Sequence, residues 1–285
     1  RLAAEREPAP LSIKIERAGA VPATVGIAHP QLPVLLNLAA ARVHAYLYGP
    51  AGTGKDHASR TVAEVLGLPY RSHTWCQRST LSALFGFINA MGHYVSTPTR
   101  DIWENGGILY YDEMDNAPAD VLSALNTMLA SNFADFPDAR VPKHRDCIIL
   151  AAGNTPGFGP TLAFPDRRPL PTATRTRFHF VFWDYDEPTE YAISKAIAAA
   201  ANVPAAAARL WTGYVLRLRK HCISAMPQMI PSPRASYHGT ALLTTFPVEQ
   251  VADMVLFQGL EASNIALLTG VVPLPAIALS PKAEA

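Results

Sequence analysis

The stretch Gly49-Pro50-Ala51-Gly52-Thr53-Gly54-Lys55 constrains the fold more than any other part of the chain. A short apolar run, Ala45 to Tyr48, breaks against it. A helical pattern, Lys55 to Leu66, leaves it and stops at Gly67. The glycines let the backbone curl until its N–H groups converge, and the first turn of the helix adds its own unpaired amides. A strand, a turn and a helix arranged this way cradle phosphate oxygens. Lys55 supplies a mobile positive charge for the β- and γ-phosphates. The pattern asks next for a Ser or Thr hydroxyl to ligate Mg²⁺, and this chain has Asp56, followed by His57. A carboxylate can ligate Mg²⁺, but here it stands beside phosphates. Two unit charges a few ångströms apart repel by about 1 to 4 kcal/mol at effective dielectrics between water and a protein surface. Positions 49 to 57 therefore read as a nucleotide cradle with weakened, not abolished, binding of nucleotide or Mg²⁺.

A second signal follows one β-α-β-α interval later. Ile108-Leu109-Tyr110-Tyr111 is a buried-type strand that ends in Asp112-Glu113, at the end where open α/β sheets place their ligands. Asp112 would hold Mg²⁺ through water, and Glu113 would orient and polarise the attacking water. A bare acid pair after a strand also serves as a helix cap or a solvated turn. Its place after the glycine-rich turn favours the catalytic reading.

Strands and helices alternate through the first two-thirds of the chain, at Ala45–Tyr48, Tyr70–Trp75, Ile108–Tyr111, Cys147–Ala152 and Phe178–Trp183. This predicts a parallel sheet covered on both faces. After Asp186 the pattern is helical throughout, with Pro188–Ala201, Pro204–His221, Pro233–Thr245 and two shorter pieces before Gly270. The expected fold is α/β: a P-loop three-layer αβα domain followed by a small all-helical lid. The expected boundaries are an N-terminal extension with one edge strand (1–30, strand at Leu11 to Glu16), the nucleotide domain (31–186), the lid (187–270) and a Pro/Ala-rich tail (271–285). With 285 residues, 49% of them hydrophobic, the chain can fill such a core and its satellite.

The formal net charge of +1 gives no overall field toward nucleic acid or anionic membrane. The basic clusters Arg140–Arg145 and Arg217–His221 read as solvated faces or subunit contacts, with nucleic acid a less favoured partner. Cys76, Cys147 and Cys222 lie far apart, which fits buried thiols in a reducing, cytoplasmic setting. The nine histidines include no HExxH. Arg1 in place of Met suggests a chain that starts inside a longer product or was trimmed, and no signal sequence opens it. Ala262 to Pro281 is uncharged, yet Asn264, Gly270, Pro273 and Pro275 interrupt it. A short helix with a tail is expected there, and no membrane span.

Together these residues resemble the MoxR-type branch of the AAA+ ATPases, and within it the cobaltochelatase ATPase subunit and related phage-encoded ATPases. The resemblance runs from about Val25 to Arg234. Besides the glycine-rich turn it rests on Leu84-Phe85-Gly86-Phe87, Gly92-His93-Tyr94-Val95, Glu104-Asn105-Gly106-Gly107 leading into Asp112-Glu113, and Ala151-Ala152-Gly153-Asn154-Thr155. It implies that Asn154 is sensor 1, which helps place the attacking water. Arg177, in Thr176-Arg177-Phe178, would be the arginine finger reaching a neighbour's γ-phosphate; the family has Asp where Thr176 stands, and Arg175 is the reserve. Arg234, in Ser232-Pro233-Arg234-Ala235, would be sensor 2 and tie the lid to the nucleotide. The segment from Ser79 to Arg100 matches a hairpin insertion facing a pore. There Phe85, Phe87 and Tyr94 would either contact a partner or pack the insertion's own core.

An arginine supplied in trans requires a heterologous contact that closes into a ring, and the resemblance implies a homohexamer with ATP and Mg²⁺. Hydrolysis would then remodel a client protein or drive metal insertion beside a von Willebrand-type partner. Two rivals stand: a nucleotide-binding but hydrolysis-poor structural or assembly subunit, favoured by Asp56 and Thr176, and a DNA-acting motor.

Overall fold

In the computed structural model, residues 11–15 and 23–277 are described. The expected extension and tail therefore fall partly outside the described residues. Contacts divide the described chain into two units, one built on residues 30–184 and the other on residues 185–277 with 24–29. Near the start of the chain, β1 (Leu11–Ile15) and β2 (Ala23–Ala28) make a two-stranded sheet of their own. The sequence suggested one edge strand there. A second extended segment takes up its backbone groups instead, and the pair stays separate from the main sheet.

The α/β unit runs through α1 (Leu32–Ala40), β3 (Ala45–Tyr48), α2 (Lys55–Leu66), β4 (Tyr70–Thr74), α3 (Leu81–Phe85), β5 (Phe87–Ile88), β6 (Tyr94–Val95), α4 (Pro98–Asn105) and β7 (Gly107–Asp112). It continues through α5 (Ala119–Ala130), β8 (Phe133–Asp135), β9 (Arg140–Pro142), β10 (Cys147–Gly153), α6 (Thr172–Arg175) and β11 (His179–Phe182). Five strands form the main sheet in the order β11-β3-β10-β7-β4, every neighbouring pair parallel. The central strand β10 is buried at every position, as its run of Ile, Leu and Ala requires between two helical layers. Edge strand β4 is only half-buried at Tyr70 and His73 and exposed at Arg71, Ser72 and Thr74.

The register brings the strand ends together. Gly153 of β10 lies beside Tyr48 of β3, and Ala151 lies beside Tyr111 of β7. The core beneath holds Trp75, Leu84, Trp103, Leu109, Leu125 and Ile149, all nearly or fully buried. Each such side chain contributes about 1.5 to 3 kcal/mol of burial free energy. Thr97 caps α4 by accepting from the Arg100 amide at 3.2 Å, and Pro98 supplies its first-turn proline. Pro118 stands at the N-cap of α5.

The helical unit is α7 (Glu187–Ala200), α8 (Ala205–Ala225), α9 (Pro233–Leu242), α10 (Val248–Val255) and α11 (Ala262–Val271). Asp186 caps α7, its carboxylate accepting from the Thr189 amide at 2.9 Å. Trp211, Tyr214, Val215, Leu218 and Val251 fill its centre. Gly239 lies against the indole of Trp211, where an added Cβ would meet Nε1 at 2.1 Å.

Within the basic cluster Arg217–His221, read as a solvated face or a subunit contact, Arg217 and Lys220 are exposed, and Arg219 is the exception. Arg219 is buried and forms a two-pronged pair with buried Glu190, at 2.6 and 2.9 Å. Its Nε donates to the Pro231 carbonyl at 2.8 Å, and Lys220 pairs with Glu187 at 2.8 Å. Cys147 and Cys222 are buried free thiols as expected, whereas Cys76 is exposed. Among the described residues no helix is long and apolar enough to cross a membrane.

Candidate functional site

The cradle sits where β3 hands the chain to α2. Gly49, Gly52 and Gly54 all adopt positive φ, at 152°, 79° and 85°, so the curl uses conformations that other residues reach only with strain. Gly49 also has no room for a side chain, because an added Cβ would stand 2.2 Å from the Trp183 carbonyl oxygen. The Trp183 indole closes the other side by donating from Nε1 to the Thr53 carbonyl at 3.0 Å. Inside the turn, Thr53 Oγ1 donates to the Pro50 carbonyl at 3.0 Å. Lys55 Nζ reaches the Gly49 and Pro50 carbonyls at 3.0 and 2.8 Å. The first amide of α2 bonded back into the helix is that of Ala58, to the Gly54 carbonyl. The amides of Lys55, Asp56 and His57 thus belong to the helix end that attracts anions. This glycine backbone, lysine and helix terminus fit a nucleotide phosphate.

Asp56 has its own partners. Tyr70 donates its hydroxyl to Asp56 Oδ1 at 2.8 Å, and Arg60 stands 3.7 Å from Oδ2. The Arg60 guanidinium in turn lies over the Tyr70 ring, 4.7 Å from its centre. Tyr70 stacks on Tyr110 at 6.4 Å, and the Tyr110 hydroxyl donates to Asp112 Oδ1 at 3.1 Å. Burial pushes both phenols well above their ordinary pKa, with the Asp56 hydrogen bond adding at Tyr70 and the Asp112 charge adding at Tyr110. Two stacked tyrosines therefore stay protonated and link the two acids that the sequence assigned to Mg²⁺. Among the described residues no cluster of three or more acidic, His or Cys side chains is gathered for a metal. A pair of carboxylates completed by phosphate oxygens and water suits Mg²⁺.

Asp112 ends β7, and Glu113 follows with φ 56°, a left-handed conformation. A short 3-10 turn, Met114–Asn116, then brings Asp115 under the sheet. The sequence reading passed over Asp115, which is almost wholly buried. Its Oδ2 accepts from the Asn154 amide (3.0 Å), the Thr155 amide (2.9 Å) and Thr155 Oγ1 (2.9 Å). Gly153 makes this possible, since a Cβ there would strike the Tyr46 hydroxyl at 2.0 Å and the Asp115 carboxyl carbon at 2.8 Å. Asn154 is thereby fixed with its side-chain Nδ2 3.5 Å from Glu113 Oε1, at the outer limit of a hydrogen bond. A second overlooked residue, Arg167, forms an ion pair with Glu113 Oε2 and lies 3.7 Å from Asp115 Oδ1. No pattern in Pro165-Asp166-Arg167-Arg168-Pro169 announces this, because both partners are remote in sequence.

The structure thus gathers Gly49 to His57, Asp112, Glu113 and Asn154 at the ends of neighbouring strands of one unit. Arg175 is the last residue of α6, and Arg177 follows its C-cap, Thr176. Arg177 turns back onto α6 and donates to the Ala173 carbonyl at 2.6 Å, and Arg175 lies over the exposed Phe158 ring at 4.5 Å. Arg234 is an exposed residue of α9 in the helical unit.

The hairpin β5–β6 pairs Phe87 with Val95 and Ile88 with Tyr94, and it divides the aromatic residues proposed for it. Phe85 packs edge-on to Phe136 at 5.8 Å, and Tyr94 donates its hydroxyl to the Phe85 carbonyl at 2.7 Å. Phe87, Ile88 and Met91 are exposed. The other basic stretch is partly neutralised, with Arg140 paired to Asp135 at 2.7 Å across the hairpin β8–β9.

Residues 44–178 match a family model described as an AAA domain of the dynein-related subfamily. No curated protein matches the chain. Among solved structures it is similar to a point mutant of RuvB from Thermotoga maritima, at 16% identity and a TM-score of 0.51, over 85% of this chain and 75% of that one. It is also similar to NtrX from Brucella abortus in complex with ADP, at 17% identity and a TM-score of 0.54, over 88% of this chain and 55% of that one. A second NtrX structure from the same organism gives a TM-score of 0.55 at 16% identity, over 89% of this chain and 57% of that one. The chain spans just over half the length of NtrX. The five-stranded parallel sheet with flanking helices is the P-loop AAA+ fold, and a helical C-terminal region accompanies it.

Proposed function

We propose that this chain, which carries an AAA domain over residues 44–178, binds ATP with Mg²⁺ and hydrolyses it. One observation carries the reading: the Lys55 cradle, the Asp112-Glu113 pair and Asn154 stand at the ends of β3, β7 and β10, which are neighbours in the sheet. Gly49 to His57 would hold the phosphates, and Asp112, with Asp56 beside it, would hold the metal. Bound Mg²⁺ would neutralise charge on the phosphates. Glu113 and Asn154 would place the water that attacks the γ-phosphorus, with Glu113 accepting its proton. The reading is tested by nucleotide binding and hydrolysis of the purified chain beside Lys55→Ala and Glu113→Gln. Binding lost in the first, and turnover lost with binding kept in the second, are the expected results. Turnover unaffected by either change overturns it.

The finer reading places the chain in the MoxR-type branch, acting as a homohexameric ring in which Arg177 completes a neighbour's site and Arg234 senses its nucleotide. The exposed Phe87, Ile88 and Met91 of the hairpin would meet a protein client, which the ring remodels or, with a von Willebrand-type partner, loads with metal. Mixing Arg177→Ala subunits into wild-type rings should depress activity more than in proportion to their share. A strictly proportional loss would argue against a site shared between subunits.

A hydrolysis-poor assembly subunit is the second reading. The partners already held by Asp56 and Glu113 favour it. Tight binding without Lys55-dependent turnover would establish it. A DNA-acting motor is less supported, because Arg140, Arg219 and Lys220 are already paired. It requires steeply salt-dependent DNA binding.

A further inference from the structure

Glu190 marks the inner face of α7, where it pairs with Arg219 of α8 and accepts from Ser236 of α9. Tyr191, Lys195 and Ala199, spaced four residues apart, form a stripe on another face of the same helix. That stripe lines a cavity of about 720 Å³, within the size range of small-molecule sites. Every lining residue belongs to the helical unit, including Ile27 of β2. Arg234, to which nucleotide sensing is assigned, lies on α9, whereas the helices that line the cavity are α7 and α8. Alanines make the space, Ala192 and Ala196 on α7 and Ala205 and Ala206 on α8. Their methyl groups are too short to fill a gap between two helices, and close-packed proteins leave few voids larger than a water molecule.

Two further side chains separate this space from slack packing. Ser194 and Thr212 line the cavity and are 1% and 0% exposed. Neither hydroxyl has a hydrogen-bond partner among the described residues. Buried hydroxyls are ordinarily paired, and each of these can donate to or accept from a bound molecule. Lys195 stands at the exposed rim and carries a compact, mobile positive charge. Arg209 also lines the cavity but already has an interaction of its own, so the charge available to a ligand is that of Lys195.

We propose that this cavity binds a small amphipathic organic anion. Its apolar body lies between the alanines of α7 and α8, its acidic group meets Lys195, and a polar atom at its inner end pairs with Ser194 and Thr212. The site is independent of the phosphate cradle, and the proposal does not rest on the hydrolytic reading.

The test uses 1-anilinonaphthalene-8-sulfonate, which combines a fused apolar ring, one sulfonate and one N–H, and follows its fluorescence on titration into the full chain. Saturable binding at one site per chain is expected, with or without saturating ATP. Ala206→Phe fills the space from an exposed position and should abolish binding. Lys195→Glu reverses the rim charge and should weaken binding about tenfold. Ser194→Ala should weaken binding without lowering the melting temperature of the free protein, because the hydroxyl it removes is unpaired. Absence of saturable binding, displacement by ATP, or unchanged affinity in any one of the three variants overturns the proposal. If Ala206→Phe loses its fold, the other two variants decide by the same criterion. Lys55→Ala should leave probe binding intact, so failure of the nucleotide reading and failure of this one are told apart.

Discussion

The Tyr70 hydroxyl donates to Asp56 Oδ1 at 2.8 Å, and so an edge-strand phenol holds the residue that stands where a metal-binding hydroxyl is the rule. The contact explains how an acid is tolerated beside a phosphate cradle. Tyr70 stays protonated and Arg60 adds a positive charge, so part of the carboxylate's charge is already answered before any ligand arrives.

Replacing Asp56 by Thr should therefore strengthen Mg²⁺-dependent nucleotide binding. Repulsion of about 1 to 4 kcal/mol corresponds to roughly five-fold or more in Kd. Titration of ATP with and without Mg²⁺ checks this, and an unchanged ratio of the two affinities would remove Asp56 from the metal site.

The turn is tightest at Gly49. Gly49→Ala must open the 2.2 Å approach to the Trp183 carbonyl at a φ of 152°, and should cost more than about 2 kcal/mol of stability. Trp183→Phe removes the donor to Thr53, at about 1 kcal/mol, and leaves a cavity beside the smaller ring that adds to the cost. Thermal denaturation measures both, and a melting temperature of Gly49→Ala equal to that of wild type would contradict the close approach.

His44 supplies a pH dependence. Burial, then the Lys143 charge and His179, lower its pKa to about 3, while its Nδ1 accepts from the Ile149 amide at 3.0 Å. The folded protein thus binds fewer protons here than the unfolded chain between about pH 6.5 and 3. Stability is full above that window and falls as pH drops through it, with a slope approaching about 1.4 kcal/mol per pH unit. His44→Gln, which retains an acceptor, should flatten the slope in denaturant unfolding between pH 6 and pH 4. An identical slope would assign the acid sensitivity to other groups.

Asp115→Ala removes the acceptor for two amides and a hydroxyl in a site that is 1% exposed. Loss of a buried charged partner costs about 3 to 5 kcal/mol. Chemical denaturation should show a loss of that order, and a loss under about 1 kcal/mol would contradict the anchoring described.

The boundaries of β3 and α2 were legible to the residue, because glycines stand at both ends of the turn and again at Gly67. The five parallel strands were all legible, four of them from apolar runs, whereas β4 has the mixed sequence Tyr70-Arg71-Ser72-His73-Thr74. The hairpin β8–β9 was not, since strands of three residues carry too few alternations to show a period; Arg140 is the exposed charge expected, and its cross-strand partner Asp135 is supplied by the hairpin. Within the site, the cradle and the acid pair could be read because their chemistry depends on residues adjacent in sequence. Asp115, Arg167, Tyr70 and Trp183 could not, because each acts on a partner that only the folded sheet brings near. Arg219 was hidden by its neighbours, and its pairing with Glu190 depends on the packing of α7 against α8.

The buried carboxylate of Asp115, seated beneath Asn154 in the space left by Gly153, has a consequence for genetics. A screen for loss of function would recover changes at Asp115 and Gly153 as readily as changes at Glu113. The collected alleles would look alike in an assay of the living cell at one temperature. Only the heat lability of the first group would reveal that it never touched the reaction.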